Sequence, residues 1–475
     1  MATDAADRRE PVDEEPTELE RAARWLDSRT GAFGIARTAL RKVFPDHWSF
    51  LLGEIALFCF VILVATGTFL TFFYQASAAP VTYDGPYGPL HGREVSAAYD
   101  SVMTISFEVR AGLLMRQIHH WTALIFVAVV VLHLCRVFFT GAFRRPRELN
   151  WVVGFTLMAL VLGEGFTGYS LPDDLLSGTG ARIAYSAVLS IPFVGPWLAS
   201  LVFGGEFPTT ALIARFFVVH VLFLPGLVIG AITVHLAFVV VHKHTQFRGG
   251  RAAETNVIGP AFWPTQAFVS TGLFFMTAAF VALVGGLVQV NPIWAYGPFD
   301  ATVVSSPAQP DWYVGWLDGA LRIFPPFEPT ILGVTIPSPF IPGIVVPGAI
   351  LTVVALWPFL EAWRTRDGGR EHHILDRIPD HPIRTATGVA ILTLFGVLTL
   401  AGGNDVLAFY LSTDLETLTL VFRVLALVLP IVAWLVAYRI CVAWRRRLDE
   451  ASDVERRGGV ALRRDAAGGF EEVEP

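Results

Sequence analysis

Charge is scarce in this chain. Only 16% of its 475 residues are Asp, Glu, Lys or Arg, against 53% hydrophobic, and the mean hydropathy is +0.54. That balance excludes an ordinary soluble domain of this size. Cysteine is scarcer still: Cys59, Cys135 and Cys441 lie far apart, each inside an apolar run, with no CxxCH stretch. They read as small core residues, and a haem attached covalently through that motif is excluded. A basic excess is also missing. The net charge of -6 comes largely from the acidic ends, which resemble solvated tails and argue against a nucleic-acid surface. The first apolar run starts about fifty residues in, behind a polar, charged stretch without the short apolar core and cleavage site of a signal peptide, so none is expected. No internal repeat with interrupted helices is visible, which argues against a secondary transporter.

What the chain has instead is apolar runs of spanning length, about 20 residues each. They begin near Phe50, Leu113, Trp151, Phe216, Phe268, Pro342, Ala386 and Leu418. The expected fold is an all-α membrane protein with eight transmembrane helices. Arginine and lysine cluster before the first run (Arg8, Arg9, Arg21, Arg24, Arg37, Arg41, Lys42) and after the second, fourth, sixth and eighth. By the positive-inside rule both termini are cytoplasmic and the protein is a multi-pass component of the cell membrane. Residues from about Thr17 to Val43 carry Leu19, Ala22, Trp25 and Leu26 at helical spacing, as an amphipathic surface helix would. Four parts follow: a cytoplasmic tail with that surface helix (1–48), a first four-helix bundle (49–250), four further helices with a connecting loop (251–447), and a cytoplasmic tail (448–475).

Four histidines stand out in the apolar runs. His119 and His133 lie 14 residues apart in the second, His220 and His235 lie 15 apart in the fourth. At about 1.5 Å per residue each pair spans about 21 to 22 Å, and at about 100° per residue its members point within about 40° to 60° of one another. One histidine from each helix could grip an iron from each side at two levels, the room that two stacked haems require. A hydrogen-bonded packing role is the alternative that spacing alone leaves open. His120 falls about 220° round the helix from His133 and faces away, as a packing or quinone-site residue. Gly53 and Gly67 in the first run, and Gly154 and Gly168 in the third, repeat at the same 14-residue interval. A broad flat porphyrin between four helices needs such clearance from the two helices that carry no ligand.

These segments resemble cytochrome b, the quinol-oxidising membrane subunit of respiratory bc1 complexes. The resemblance is carried by WSFLLG ending at Gly53, TGTFL around Gly67, RQIHHW with HLCR at His133, GYSLP at Gly168, RFFVVH at His220, HLAF at His235, and PDWY at Pro310 to Tyr313. PDWY, the GYSLPDDLLSGTG run and the 15-residue step are similar to the actinobacterial branch, whose complexes oxidise menaquinol. The resemblance implies two non-covalent haem b groups in the first bundle, His119 with His220 ligating the outer and His133 with His235 the inner. It places propionate-binding arginines at Arg116 and Arg215 for the outer haem and Arg136 for the inner, where a charge-assisted hydrogen bond would meet an anion at the rim of the apolar slab. Pro310, Asp311, Trp312 and Tyr313 would line the quinol oxidation site, with the acid taking up a proton. Residues Gly180 to Pro192 would form its other wall and an iron–sulphur docking surface. His242, Lys243 and His244 are the candidates for the inner quinone site. Glu164, four residues before Gly168, is expected either to be locally hydrogen-bonded or to serve a proton route.

The same resemblance implies a Q cycle. Quinol electrons divide between a Rieske iron–sulphur subunit and the two haems, quinone is reduced on the inner side, and protons are translocated. It further implies a cytochrome c subunit, a homodimer, a possible supercomplex with a terminal oxidase, and membrane lipids as surroundings. The rival reading is the di-haem membrane anchor of a quinone-linked dehydrogenase, which would lack the paired glycines and the PDWY loop.

Overall fold

Apolar runs of this length cannot leave backbone N–H and C=O groups unpaired in lipid, so they close into helices. In the computed structural model, which describes residues 17–303, 309–367, 369–457, 461–464 and 470–473, eight helices are long and apolar enough to cross a membrane. They run Trp48–Thr71, Gly112–Phe139, Glu148–Tyr169, Leu212–His242, Phe262–Leu287, Ile341–Thr365, Pro382–Gly402 and Leu415–Glu450, and are called the first to eighth spans. Each opens a few residues ahead of the expected start, because first turns such as Glu148 and Pro382 carry little apolar signal. An even number of crossings returns the described chain to the side on which it began, the terminal side. Among the described residues sheet is confined to short hairpins, as where Pro80–Thr82 pairs antiparallel with Glu94–Ser96.

Two expectations about surface helices are revised. The leader forms two helices, Glu18–Thr30 and Ala32–Leu40, because Gly31 between them has φ +63° and breaks the run. Arg8 and Arg9 of that leader lie outside the described residues. The segment Gly180 to Pro192, expected as a wall and docking surface, falls largely in a surface helix with other bounds, Leu175–Leu189, started by a capping box in which the Asp174 carboxylate accepts from the Ser177 N–H at 2.9 Å.

The fourth span holds a one-turn π-helix at Val219–Phe223, followed by Pro225 in the first turn of the next helical segment. Proline has no N–H to donate to the preceding turn, and a π turn accommodates one residue beyond α-helical register. The 15-residue step from His220 to His235 thereby keeps pace with the 14-residue step of the second span.

The first half packs around a cluster of Cys59, Phe126, Val127, Val161 and Tyr313. Tyr313 reaches that cluster from the loop between the fifth and sixth spans, carried by the helix Trp312–Ile323. This helix lies close against the seventh span: a Cβ on Gly319 would collide with the Leu398 carbonyl, and one on Gly402 would come within 2.5 Å of the Gly315 carbonyl. The two halves are also joined on the terminal side by buried charges. Arg384 donates to Glu361 at 2.5 Å and to Asp376 at 2.9 Å, and Arg144 pairs with Asp376 at 3.0 Å.

Candidate functional site

The two histidine-bearing spans face each other. The rings of His119 and His220 have centroids 6.2 Å apart, and those of His133 and His235 are 6.4 Å apart. Two imidazoles bound trans to one metal through bonds of about 2 Å would have ring centres roughly 6 Å apart. Among the described residues no group of three or more His, Cys, Asp or Glu gathers to hold a bare metal ion. A pair of opposed imidazoles suits a metal whose remaining ligands arrive with it, as iron does in a porphyrin.

The glycines sit where those rings need room. A Cβ on Gly53 would lie 3.3 Å from His133 Cε1, one on Gly67 3.1 Å from His119 Cε1, and one on Gly154 3.4 Å from His235 Cε1. On Gly168 it would collide with the His220 ring. Gly53 and Gly67 of the first span back second-span histidines, and Gly154 and Gly168 of the third span back fourth-span ones. The clearance thus serves the imidazoles directly.

Both arginines of the second span carry unspent donors. Arg116 gives Nη1 to the Asn291 carbonyl at 3.1 Å, but its Nε and Nη2 are buried without a partner. Arg136 likewise leaves Nε and Nη2 unpartnered, with its guanidinium 4.0 Å from the centre of the Phe50 ring. Buried guanidinium donors without acceptors are costly, and an anionic group at each level would satisfy them. Arg215 differs. Its Nη1 is committed to the main-chain carbonyls of Leu201 and Ser200, at 2.5 and 3.2 Å.

Away from the terminal side, Asp311 occupies the N-cap position of the helix Trp312–Ile323 but makes no side-chain cap bond. Its carboxylate turns instead to His120, whose Nε2 lies 3.1 Å from Oδ2 and 3.2 Å from Oδ1. The Tyr313 hydroxyl donates to Asp311 at 3.4 Å. Tyr313 is buried, whereas Trp312 is 44% exposed and points elsewhere. Gly165 admits the tyrosine, since a Cβ there would stand 2.6 Å from its hydroxyl oxygen. His120, Asp311 and Tyr313 are therefore brought together from two distant segments.

On the terminal side, His242 ends the fourth span stacked on Phe238, with Nδ1 unpartnered. Lys243 turns the chain at φ +60°, and its carbonyl and that of His242 accept from Arg147. His244 packs 4.8 Å from the Phe44 ring with Nε2 unpartnered. Burial first, then the charges of Lys42, Arg136 and Arg147, lower its pKa to about 4. Nearby, Glu54 of the first span accepts from Ser270 Oγ at 2.6 Å and Gln266 Nε2 at 3.0 Å.

Sequence reasoning missed Gly165, Glu54, and the two threonines that precede Gly67 and Gly168. The Thr66 hydroxyl lies 2.9 Å from His119 Nδ1, and that of Thr167 lies 3.5 Å from His220 Nδ1. The paired Thr-Gly dipeptides were a signal that could have found the threonines. Glu164 stands beside His220: its main-chain carbonyl is 3.0 Å and its Oε1 3.3 Å from Nδ1.

The chain resembles known proteins along most of its length. Residues 124–298 match the family model described as Cytochrome b(N-terminal)/b6/petB. The chain is 46% identical over 455 residues, 96% of its length and 83% of the relative's, to the cytochrome bc1 complex cytochrome b subunit of Streptomyces coelicolor. It is 46% identical over 429 residues, 90% of the chain and 78% of the relative, to the subunit of the same name from Mycobacterium tuberculosis. The fold is similar to a chain of a hyperthermophilic respiratory Complex III, with a TM-score of 0.63 at 22% identity, covering 88% of this chain and 99% of that one.

Proposed function

The chain belongs to the cytochrome b subunits of bc1 complexes, and from that premise we propose that it oxidises a quinol, menaquinol by branch, in a Q cycle coupled to proton translocation. The observation that carries this reading is the pair of opposed imidazoles at 6.2 and 6.4 Å, each ring backed by a glycine. His119 with His220, and His133 with His235, would hold two b haems, with Arg116 and Arg136 offering their spare donors to propionates. When bound, these groups supply one-electron carriers at two depths of the membrane.

The chain's own residues do the rest. Asp311 is the proton acceptor of the quinol site, held by His120 and Tyr313 at the edge of an apolar cluster. A carboxylate within hydrogen-bond reach of a substrate hydroxyl can take its proton as the quinol is oxidised. Pro310 precedes it in the loop, and Trp312 remains at the surface. On the terminal side, which we take as cytoplasmic, His242, Lys243 and His244 border the quinone reduction site. The 49–250 segment is then the haem-bearing half, and 251–447 supplies the quinol-site loop. The partners are a Rieske iron–sulphur subunit, reached from the Leu175–Leu189 face, and a cytochrome c subunit. We further propose a homodimer in the cell membrane, able to join a terminal oxidase.

A redox-resolved optical spectrum of the isolated membrane complex, with quinol as electron donor, tests this reading. Two b-type bands reduced by quinol are expected. A colourless preparation, or one in which His133→Leu leaves both chromophores intact, would refute it. A preparation with both bands but insensitive to quinol-site poisons would favour the dehydrogenase-anchor alternative.

A further inference from the structure

The helix Trp312–Ile323 is located by close backbone packing at Gly315 and Gly319 against the seventh span. Asp311 lies about one turn before that contact, at a helix start with no side-chain cap bond. Its carboxylate is placed by other means. On one side His120 grips it, and on the other the chain is tied two residues upstream. Gln309 Nε2 donates to Asp405 Oδ1 at 2.8 Å, and Asp405 lies in the first turn of the short helix Asn404–Leu411 between the seventh and eighth spans. Only Pro310 separates Gln309 from Asp311. Proline locks its own φ and keeps the residue before it extended, so the link from Gln309 to Asp311 is short and stiff. Asp405 is itself held at both oxygens. Its Oδ1 also accepts from the Val406 N–H at 2.9 Å, and its Oδ2 pairs with Arg322 Nη1 at 3.1 Å. Arg322 returns to its own helix through Nε, 2.7 Å from Asp318 Oδ2, and donates from Nη1 to Asn404 Oδ1 at 3.3 Å. Asn404 in turn donates to Thr419 of the eighth span at 3.1 Å. Arg322, Asp318 and Asp405 are all largely shielded, so salt screens their pairs less than it would at the surface.

We propose that Gln309 and Asp405, with Arg322 behind them, are positioning residues for quinol oxidation: they hold Asp311 where it meets the substrate hydroxyl, opposite the grip of His120. The inference rests on the reading of Asp311 as proton acceptor given above. None of the three residues has to touch quinol. They act through the main chain of residues 309–311, and a reacting group displaced by about 1 Å costs up to about 10² in rate. The bond between Gln309 and Asp405 joins the loop that carries the acid to the far end of the seventh span, and through Asn404 to the eighth. The position of Asp311 is thereby set by both halves of the chain, His120 from the first and Asp405 from the second.

The test is steady-state quinol:cytochrome c reduction by the assembled complex, with each substitution made in the native chain and again beside Asp311→Asn. Gln309→Leu should lower turnover about tenfold or more and leave the KM for quinol within about twofold, because the substrate's own contacts remain. Asp405→Asn keeps an amide oxygen for Gln309 but loses the ion pair with Arg322, and its turnover should fall between the native value and that of Gln309→Leu. Beside Asp311→Asn, each should cost less than about twofold further, since a group that works only by placing the carboxylate has nothing left to place. A merely structural role would carry the same loss into both backgrounds. Native turnover in Gln309→Leu, or an undiminished loss beside Asp311→Asn, would overturn this inference alone. Full activity of Asp311→Asn itself would overturn the quinol-site reading and this inference with it. If Gln309→Leu does not assemble, the same comparison made with Asp405→Asn decides: a turnover loss confined to the native background supports the inference, and no loss or an equal loss in both overturns it.

Discussion

His120 and Asp311, 191 residues apart in sequence, meet with Nε2 3.1 Å from Oδ2 while both side chains remain largely shielded. The pairing takes Asp311 out of the capping role that its position before Trp312–Ile323 would otherwise give it. It holds the carboxylate against the second span at His120, the residue after His119. Removing the acid while keeping the shape tests its use. Asp311→Asn should lower the turnover of quinol oxidation by about 10² to 10⁴, the range for loss of a general base, with both b-type bands unchanged. A steady-state assay of quinol:cytochrome c reduction alongside the spectrum separates the effects. Full activity in the variant would remove Asp311 from the chemistry.

The glycines of the third span divide into those that tolerate a methyl group and those that do not. A Cβ on Gly168 would collide with the His220 ring, whereas on Gly163 the nearest atom is Leu224 Cδ1 at 3.8 Å. Gly168→Ala should therefore displace the imidazole and reduce the haem content from two per chain toward one, while Gly163→Ala should leave it at two. Haem-to-protein ratio by pyridine haemochrome reads both. Equal haem content in the two variants would show that the contact at Gly168 does not govern binding.

The spans and the shared face of the two histidines within each helix were legible because both obey helical periodicity, which a sequence carries locally, whereas the pairing of the histidines across helices came from the family resemblance. The expected positions of His119, His133, His220 and His235 needed only 3.6 residues per turn, and the glycine repeat needed no more. What escaped depended on contacts between distant segments. Nothing near His120 announces Asp311, and nothing near Gly165 announces Tyr313, since a loop of the second half brings both partners in. The π turn at Val219–Phe223 reconciles 15 residues with 14, yet only Pro225 hints at it locally. The single leader helix failed at Gly31, where a positive φ outweighed a continuous amphipathic pattern.

The charge cluster that ties the loops of the terminal side together should be sensitive to acid. Asp376 is 6% exposed. Burial would raise its pKa, but the hydrogen bond from His381 and the charges of Arg144 and Arg384 prevail and hold it at about 2, below the ordinary 3.8. A carboxyl with a depressed folded-state pKa stabilises the fold above its unfolded value and loses that contribution as pH falls through the folded one. The difference is worth roughly 2 kcal/mol, present above about pH 4 and gone near pH 2. Hydrogen exchange over residues 372–384 should stay slow down to pH 4 and accelerate below it, after correction for intrinsic rates. Asp376→Asn should be fast throughout, because it leaves Arg144 and Arg384 buried beside a neutral group. Protection unaffected by the substitution would show that the loop is held by other contacts.

His244 gives the most direct test of the quinone site proposed for the terminal side. Its ring is buried against Phe44, with Nε2 unpartnered and its pKa lowered to about 4 by burial and then by Lys42, Arg136 and Arg147. A histidine whose folded value lies below the ordinary 6.5 is stabilised in its neutral form. That contribution is complete above about pH 6.5 and fades as pH falls toward 4. Through the physiological range the ring is uncharged and offers a hydrogen bond to a quinone oxygen or hydroxyl without adding charge to a cationic neighbourhood. His244→Ala should therefore slow reoxidation of the haem at the His133–His235 level by quinone about tenfold or more, while quinol at the Asp311 site still reduces both haems at the native rate. Flash or stopped-flow absorbance resolves the two phases. In the native complex the reoxidation phase should show no ionisation near pH 6.5. A step there that disappears in the alanine variant would mean that the ring titrates freely and is not buried as described.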